Sequence, residues 1–302
     1  MSNQLVSIQS VAQIHEIFGL GKPQHPLVSL IEVKDMHAAH IPAGYTVASD
    51  LYSIWLKDGS CGIQYGRNFV DFDSGVLLMT APGQVFSSAE EWTPTEVQGW
   101  LLVFHPDLIR RSPLGQEVEH YNFFSYESHE ALHLSDDEEA TITDCAHKIR
   151  QEYQQRIDNH SQKVMVATLD LMLSYCNRYY ERQFNTRSTQ HKDVVVQVES
   201  ILKNYLNNDL ALEHGAPTVQ YLADQVSLSA GYLSDLLKKE TGKSGKDFIH
   251  YYLIEKAKTR LLNSEETINE IAYSLGFNYP HYFSRLFKAK TGMSPQEFRT
   301  LN

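Results

Sequence analysis

The sequence predicts an α+β protein in two parts: an N-terminal small β-barrel or jelly roll, then helices and an all-α C-terminal domain with two helix-turn-helix motifs. Three observations lead there. Short segments rich in β-branched and aromatic residues recur up to about residue 104, two stretches with helical spacing follow, and the last third of the chain repeats itself. The predicted layout is a β-barrel over 1–134, a helical connector over 135–183, a linker over 184–193 and a helical domain over 194–302.

The expected strands are 27–33, 46–56, 62–65, 69–72, 76–79, 84–87 and 99–104. Turn-forming runs separate them, among them Asp58-Gly59, Arg67-Asn68, Asp73-Ser74-Gly75 and Pro82-Gly83. Ser135 with Glu138 is a capping box, so a helix should run from there to about Asp158. A second helix, from Ser161 to about Gln183, carries Met165, Leu169, Met172, Leu173, Cys176 and Tyr180 at i, i+3, i+4 spacing. That stripe has two readings: it packs on the barrel, or it forms a dimer interface, for which Met165, Leu169, Met172, Leu173 and Cys176 are the candidates. The polar run over 184–193 has no apolar period and is expected to be the linker.

In the last third, Thr218, Leu222 and Ala223 recur 49 positions later as Thr267, Ile271 and Ala272. Leu233, Leu237, Lys238, Thr241, Gly242, Ser244 and Phe248 recur 50 later as Phe283, Phe287, Lys288, Thr291, Gly292, Ser294 and Phe298. The one-residue drift falls in the turn between two short helices. In the second copy Thr267 and Glu270 form a capping box, Gly276 suits a turn, Asn278 is expected to cap the next helix and Pro280 fits its first turn. Phe283, Leu286 and Phe287 then share an inward face. His281, Ser284, Arg285 and Lys288 share the outward one, with Asn278 and Tyr279 at its entrance. The first copy places Gly231, Ser234, Asp235 and Lys238 outward and Leu233, Leu236 and Leu237 inward. Two short helices joined by a turn, used twice, is the layout of a tandem reader of the DNA major groove.

Charge is divided unevenly. Residues 190–302 hold 13 Lys and Arg against 13 Asp and Glu, whereas residues 1–189 hold 13 against 24 and so carry the whole formal charge of −11. The acidic part is expected to stay away from phosphate and leave nucleic-acid contact to the C-terminal part. Cys61, Cys145 and Cys176 lack ligand or redox spacing and are expected to be reduced core residues of a cytoplasmic protein. No apolar run approaches membrane length, so no membrane partner is expected, and the residues imply no cofactor.

Residues 195–300 resemble the DNA-binding domain of the AraC/XylS family of bacterial transcription regulators. The resemblance rests on Leu222 and Ala223, Tyr232 and Leu233, Lys238 through Gly242, Ile271 and Ala272, Gly276-Phe277, Phe283, Arg285, Phe287, Lys288, Gly292, and Pro295 with Phe298 and Arg299. It implies two recognition helices in successive major-groove segments of promoter DNA, a joining helix over 246–263, a homodimer and contact with RNA polymerase. In this reading Arg285 is the foremost base reader, because a guanidinium can donate to guanine O6 and N7 together. A phosphate clamp or an internal ion pair is the alternative. Lys238 and Lys288 suit phosphate, His281 and Ser284 read or position, and the carboxylate of Asp235 suits only cytosine N4.

The N-terminal half looks like the cupin-type sensor domain of such regulators, most closely over 71–88. This implies a small-molecule effector or a partner protein, with Trp55, Tyr65, Phe72, Phe86 and Trp100 as candidate pocket residues. The alternative is a cupin-type metal enzyme fused to a DNA reader. Residues 51–104 contain no histidine, so its usual ligand triad is missing, and only the pair His37 and His40 is left to offer a partial site. No catalytic residue and no metal ligand is therefore assigned, and the chain is expected not to be an enzyme.

Overall fold

A computed structural model of the chain describes residues 5–36, 46–58, 75–87, 98–156, 158–208 and 210–300. The chain divides into two compact units, Met1–Arg187 and Ser188–Asn302.

The first unit runs β1 (Leu5–Ile8), α1 (Val11–Ile17), β2 (Val28–Glu32), β3 (Thr46–Ser49), β4 (Tyr52–Asp58), β5 (Gly75–Thr80), β6 (Val85–Ser87), β7 (Gly99–Phe104), α2 (Pro113–Glu117) and β8 (Leu132–Leu134). Two long helices, α3 (Asp136–Gln154) and α4 (Ser161–Thr186), complete it. Among the described residues the strands make two open sheets, β1-β3-β6 and β2-β7-β4-β5-β8, rather than a closed barrel. The expected strands 62–65 and 69–72, with Tyr65, Phe72, Cys61, His37 and His40, lie outside the described residues. The expected strand 46–56 is two strands. At Asp50 the chain leaves one sheet for the other: its N–H donates to Ile8 O at 2.8 Å, and Leu51 N–H donates to the Ser49 hydroxyl at 3.2 Å.

The five-stranded sheet is antiparallel throughout. Its register sets Trp55 opposite Leu101 and Leu56 opposite Trp100, so period-two alternation sends Trp55 and Trp100 to opposite faces. One face meets the helices. There Trp100 Nε1–H donates to the Thr143 hydroxyl at 3.1 Å, Leu30 N–H donates to the Tyr153 hydroxyl at 3.1 Å, and Arg150 pairs with Glu32. The other face packs Ile31, Leu101, Val103 and Trp55 with Val11 and Ile14 of α1 and with Phe18 just after it. The edge strand β8 is closed by two neighbouring side chains of α4: Gln183 accepts from His133 N–H at 2.8 Å and donates to Ala131 O at 3.1 Å, and Arg182 donates to His133 O at 2.6 Å.

The capping box predicted at Ser135 and Glu138 starts α3. On α4, Met165, Leu169, Met172, Leu173 and Cys176 are all buried within the unit. This corrects the dimer-interface reading of those five residues: their area is already covered by the unit's own core, and burial pushes the Cys176 thiol far up. The stretch expected to be the linker, 184–193, contains the boundary between the two units and is helical. α4 extends to Thr186 and α5 begins at Ser188, with Arg187 between them. The stretch contains neither Gly nor Pro, and α4 still buries Gln183 and Phe184 in its last turns, an anchor too short to register as a period.

The second unit is all-helical: α5 (Ser188–Asn207), α6 (Leu210–His214), α7 (Val219–Gln225), α8 (Ala230–Thr241), α9 (Gly245–Asn263), α10 (Ile268–Ser274), α11 (Pro280–Thr291) and α12 (Pro295–Arg299). One core cluster takes Leu222, Leu233 and Leu237 from the first copy, Phe248, Leu253, Ala257 and Leu261 from α9, and Ile271, Phe283 and Phe287 from the second. A shared core makes the two copies one packed body, in which α9 is the spine.

The repeat is conformational as well as sequential. Ser227 and Gly276, 49 apart, both have left-handed φ, at 56° and 85°. The same bond closes each turn, from Leu228 N–H to Ala223 O and from Phe277 N–H to Ala272 O, each at 3.0 Å. Serine suffices in the first turn, but not in the second. There the backbone of residues 215–216 lies against the turn, Ala216 N–H donating to Gly276 O at 3.1 Å, and a Cβ on Gly276 would stand 2.1 Å from Ala216 N. Gly276→Ala is expected to destabilise the C-terminal unit by about 2 kcal/mol or more. Gly242→Ala shares the left-handed φ but meets open space, so it should cost only about 1 kcal/mol. Urea unfolding of the two variants side by side checks the difference.

Candidate nucleic-acid interface

In the second copy α10 is started by the Thr267–Glu270 capping box, as predicted, and buries Ile271 and Ala272. After the turn, α11 buries Phe283 and Phe287 and half-buries Leu286. His281, Tyr282, Arg285 and Lys288 are exposed on its other side, and Ser284 is half-buried. The helix starts one residue later than expected. Its N-cap is Tyr279, with no side-chain cap, so Asn278 is exposed and does not cap. Asn278 is the residue responsible for the 49-to-50 drift, inserted between a conserved turn geometry and the reading helix.

α11 carries Arg285, Lys288 and Lys290 and no acidic residue. Lys290 is committed to Asp247 of α9, at 2.8 Å, and this pairing with the Ser244 hydrogen bond holds the Asp247 carboxyl below its usual range. Arg285 is exposed and makes no hydrogen bond or ion pair with any described residue. The internal-pair alternative for Arg285 finds no partner among the described residues.

The first copy is built differently. On α8, Tyr232, Leu233, Leu236 and Leu237 are buried, Gly231, Ser234 and Asp235 are half-buried, and the exposed cations are Lys238 and Lys239. The Ser234 hydroxyl accepts from Gly245 N–H at 3.1 Å, so it is spent on the first turn of α9. This corrects its expected outward role. α5 lies against the same helix: the Tyr232 hydroxyl and His191 Nε2 are 3.2 Å apart, with the rings edge-on.

The family described as "Helix-turn-helix domain" matches residues 222–300. The C-terminal unit carries a helix-turn-helix domain. The chain is 25% identical over 232 residues to the uncharacterized HTH-type transcriptional regulator YijO of Escherichia coli (strain K12), covering 76% of this chain and 77% of that one. It is 31% identical over 142 residues to the uncharacterized HTH-type transcriptional regulator YfiF of Bacillus subtilis (strain 168), covering 47% of this chain but only 41% of that one. Among solved structures, the C-terminal domain of the two-component response regulator yesN from Fusobacterium nucleatum is 30% identical, covers 34% of this chain and 98% of that one, and has a TM-score of 0.30.

The helix-turn-helix domain locks its second copy through Glu266. Arg260 donates to both Glu266 oxygens at 2.8 and 2.5 Å and to the Ser274 hydroxyl at 2.6 Å, while Arg299 donates to Glu266 O at 2.6 Å. Arg260 holds the Glu266 carboxyl below its ordinary range. A depressed carboxyl contributes stability above its unfolded pKa and loses it as pH falls through the folded value. The domain should therefore lose stability on acidification below the usual carboxylate range. Glu266→Gln should lower its neutral-pH melting temperature and flatten that acid slope, both read by calorimetry.

The exposed residues Tyr282 and Lys239 were not among the candidates read from the sequence. Tyr282 was findable, since it lies four residues after Asn278 and three before Arg285, but beside the inward Phe283 it reads as one more core aromatic. Of the candidate pocket residues in the first unit, Trp100 is buried and bonded to α3, whereas Trp55 is half-buried on the opposite face, with Lys57 Nζ 4.9 Å from its ring centroid. The two tryptophans cannot line one pocket. Phe86 lies on β6, and Tyr65 and Phe72 are outside the described residues. Among the described residues no three His, Cys, Asp or Glu side chains gather as a metal site, and no helix is long and apolar enough to cross a membrane.

Proposed function

We propose that the chain is a cytoplasmic transcription regulator that binds promoter DNA sequence-specifically through α11, with α8 anchoring the same domain on phosphate. The observation that carries this reading is the exposed Arg285, without a partner among the described residues, on a helix with cations and no acids, held by a buried Phe283–Phe287 face. Arg285 reads guanine. Lys238, Lys239 and Lys288 neutralise phosphate, and Ser284 and His281 line the groove beside Arg285. Asn278 and Tyr279 stand at the helix entrance. Gly231 and Asp235, half-buried on α8, take the lesser part.

The N-terminal unit is the sensing part, a cupin-like domain that answers a small-molecule effector or a partner protein, and the working form is a homodimer that acts with RNA polymerase. With the α4 stripe buried, the surface of α4 left for self-association is its exposed side, with Val164 and Leu171. A coupling of about 1–3 kcal/mol between the two parts alters promoter occupancy roughly 5- to 150-fold. The test is to incubate the full chain with sheared genomic DNA of its host at near-physiological salt and sequence what is retained, with Arg285→Ala beside it. Enrichment of a few promoters by the native chain, lost in the variant, supports the reading. Equal retention of all fragments by both proteins contradicts it.

A further inference from the structure

The entrance of α11 carries a surface that the cations do not explain. Tyr279 and Tyr282 are among the most exposed large side chains of the C-terminal unit, at 59% and 54%. With His281 they form one cluster of rings: His281 and Tyr282 have centroids 4.3 Å apart, Tyr279 and His281 5.7 Å, and Tyr279 and Tyr282 5.8 Å, the last pair edge-on. Solvated tyrosines placed for solubility would not gather in this way, since clustering leaves a contiguous apolar patch facing water. The patch is no satellite of the domain core, which takes Phe277, Phe283, Phe287 and Phe298 instead.

Position says what covers it. His281 and Tyr282 precede Arg285 by four and three residues, so the ring cluster and the guanidinium stand on one side of α11, one turn apart. The helix supplies Arg285 and Lys288 and has no acid of its own to repel phosphate. Whatever meets Arg285 from a major groove must also meet these rings. Of the four bases only thymine presents an apolar group there, the C5-methyl, and it is read by apolar contact rather than by hydrogen bonding.

We propose that Tyr282 and Tyr279 are thymine-reading residues, whose rings cover the C5-methyl of a thymine next to the guanine bonded by Arg285. One helical turn advances about 5.4 Å and one base pair about 3.4 Å, which puts that thymine about one or two base pairs from the guanine. The inference rests on DNA reading by α11 and adds a base to it.

The test uses the full chain and a random duplex library to select bound sequences, followed by replacement of each selected thymine with deoxyuridine, which removes only the methyl. The expected result is a thymine one or two base pairs from the guanine, whose replacement weakens native binding about fourfold, the worth of one buried methyl. Tyr282→Ala should relax selection at that position and bind the thymine and deoxyuridine duplexes equally, while Tyr282→Phe keeps the discrimination. Both substitutions are on an exposed side chain, and circular dichroism confirms that the variants fold. If the native chain selects a guanine lost in Arg285→Ala but ignores every methyl, thymine reading is overturned and DNA reading stands. If it selects no sequence at all, the DNA reading fails and takes this inference with it.

Discussion

Phe283→Ala is expected to cost about 3–5 kcal/mol, on the scale of the whole stability of many small domains. Phe283 is fully buried, its ring 5.5 Å from Phe277 and 5.8 Å from Phe287, which in turn meets Phe298 edge-on at 5.4 Å. Removing the ring leaves a cavity in a row of aromatics that have no smaller rotamer with which to fill it. The consequence is functional as well, because this row is what holds the outward face of α11 in place. Denaturant unfolding followed by tyrosine fluorescence should show the C-terminal transition displaced to much lower denaturant, with Phe283→Leu losing less than half as much. DNA binding by Phe283→Ala should fall for all sequences alike, since no base contact is touched.

Arg285→Ala should do the opposite, leaving stability within about 0.5 kcal/mol of the native chain while costing about 1–3 kcal/mol of specific binding. The side chain is exposed and has no hydrogen-bond or ion-pair partner among the described residues. A bidentate guanine contact predicts that the loss is confined to one base position. Arg285→Lys should recover little of it, because an ammonium lacks the planar fork. Lys238→Ala, at an exposed cation of the first copy, should weaken all duplexes about equally and reduce the slope of log affinity against log salt by about 1. Titrations on the selected site and on single-base variants at several salt concentrations separate the two behaviours.

Much of the C-terminal unit was legible because its information is local. The Thr267 capping box, the glycines at 242, 276 and 292, and a proline at the first position of α11 each act within a few residues, and the repeat supplied the glycine that ends each reading helix twice, at 242 and 292. Ser234 was misplaced for a tertiary reason, since its role depends on Gly245, and Asn278 because it is itself the inserted residue, which shifts the helix start to Pro280. In the N-terminal unit the strands over 28–32, 75–80 and 99–104 announced themselves by β-branched and aromatic runs. The four-residue β1 and the three-residue β8 did not, because pairing with β3 and β5 decides them more than composition. The opposite facing of Trp55 and Trp100 needed the register of β4 on β7, which no single strand encodes. Equally, the stripe on α4 was visible, but whether it met its own unit or another chain was not, since both leave the same spacing.

The central claim is that the two copies are unequal, with α11 reading bases and α8 holding phosphate. Its most direct test is the information profile of sequences selected by the full chain from a random duplex library. The account predicts one strongly specified block containing the guanine lost in Arg285→Ala, and about one helical turn away a stretch with little or no base preference. Two equally specified blocks, or a strong block that survives Arg285→Ala, would contradict it.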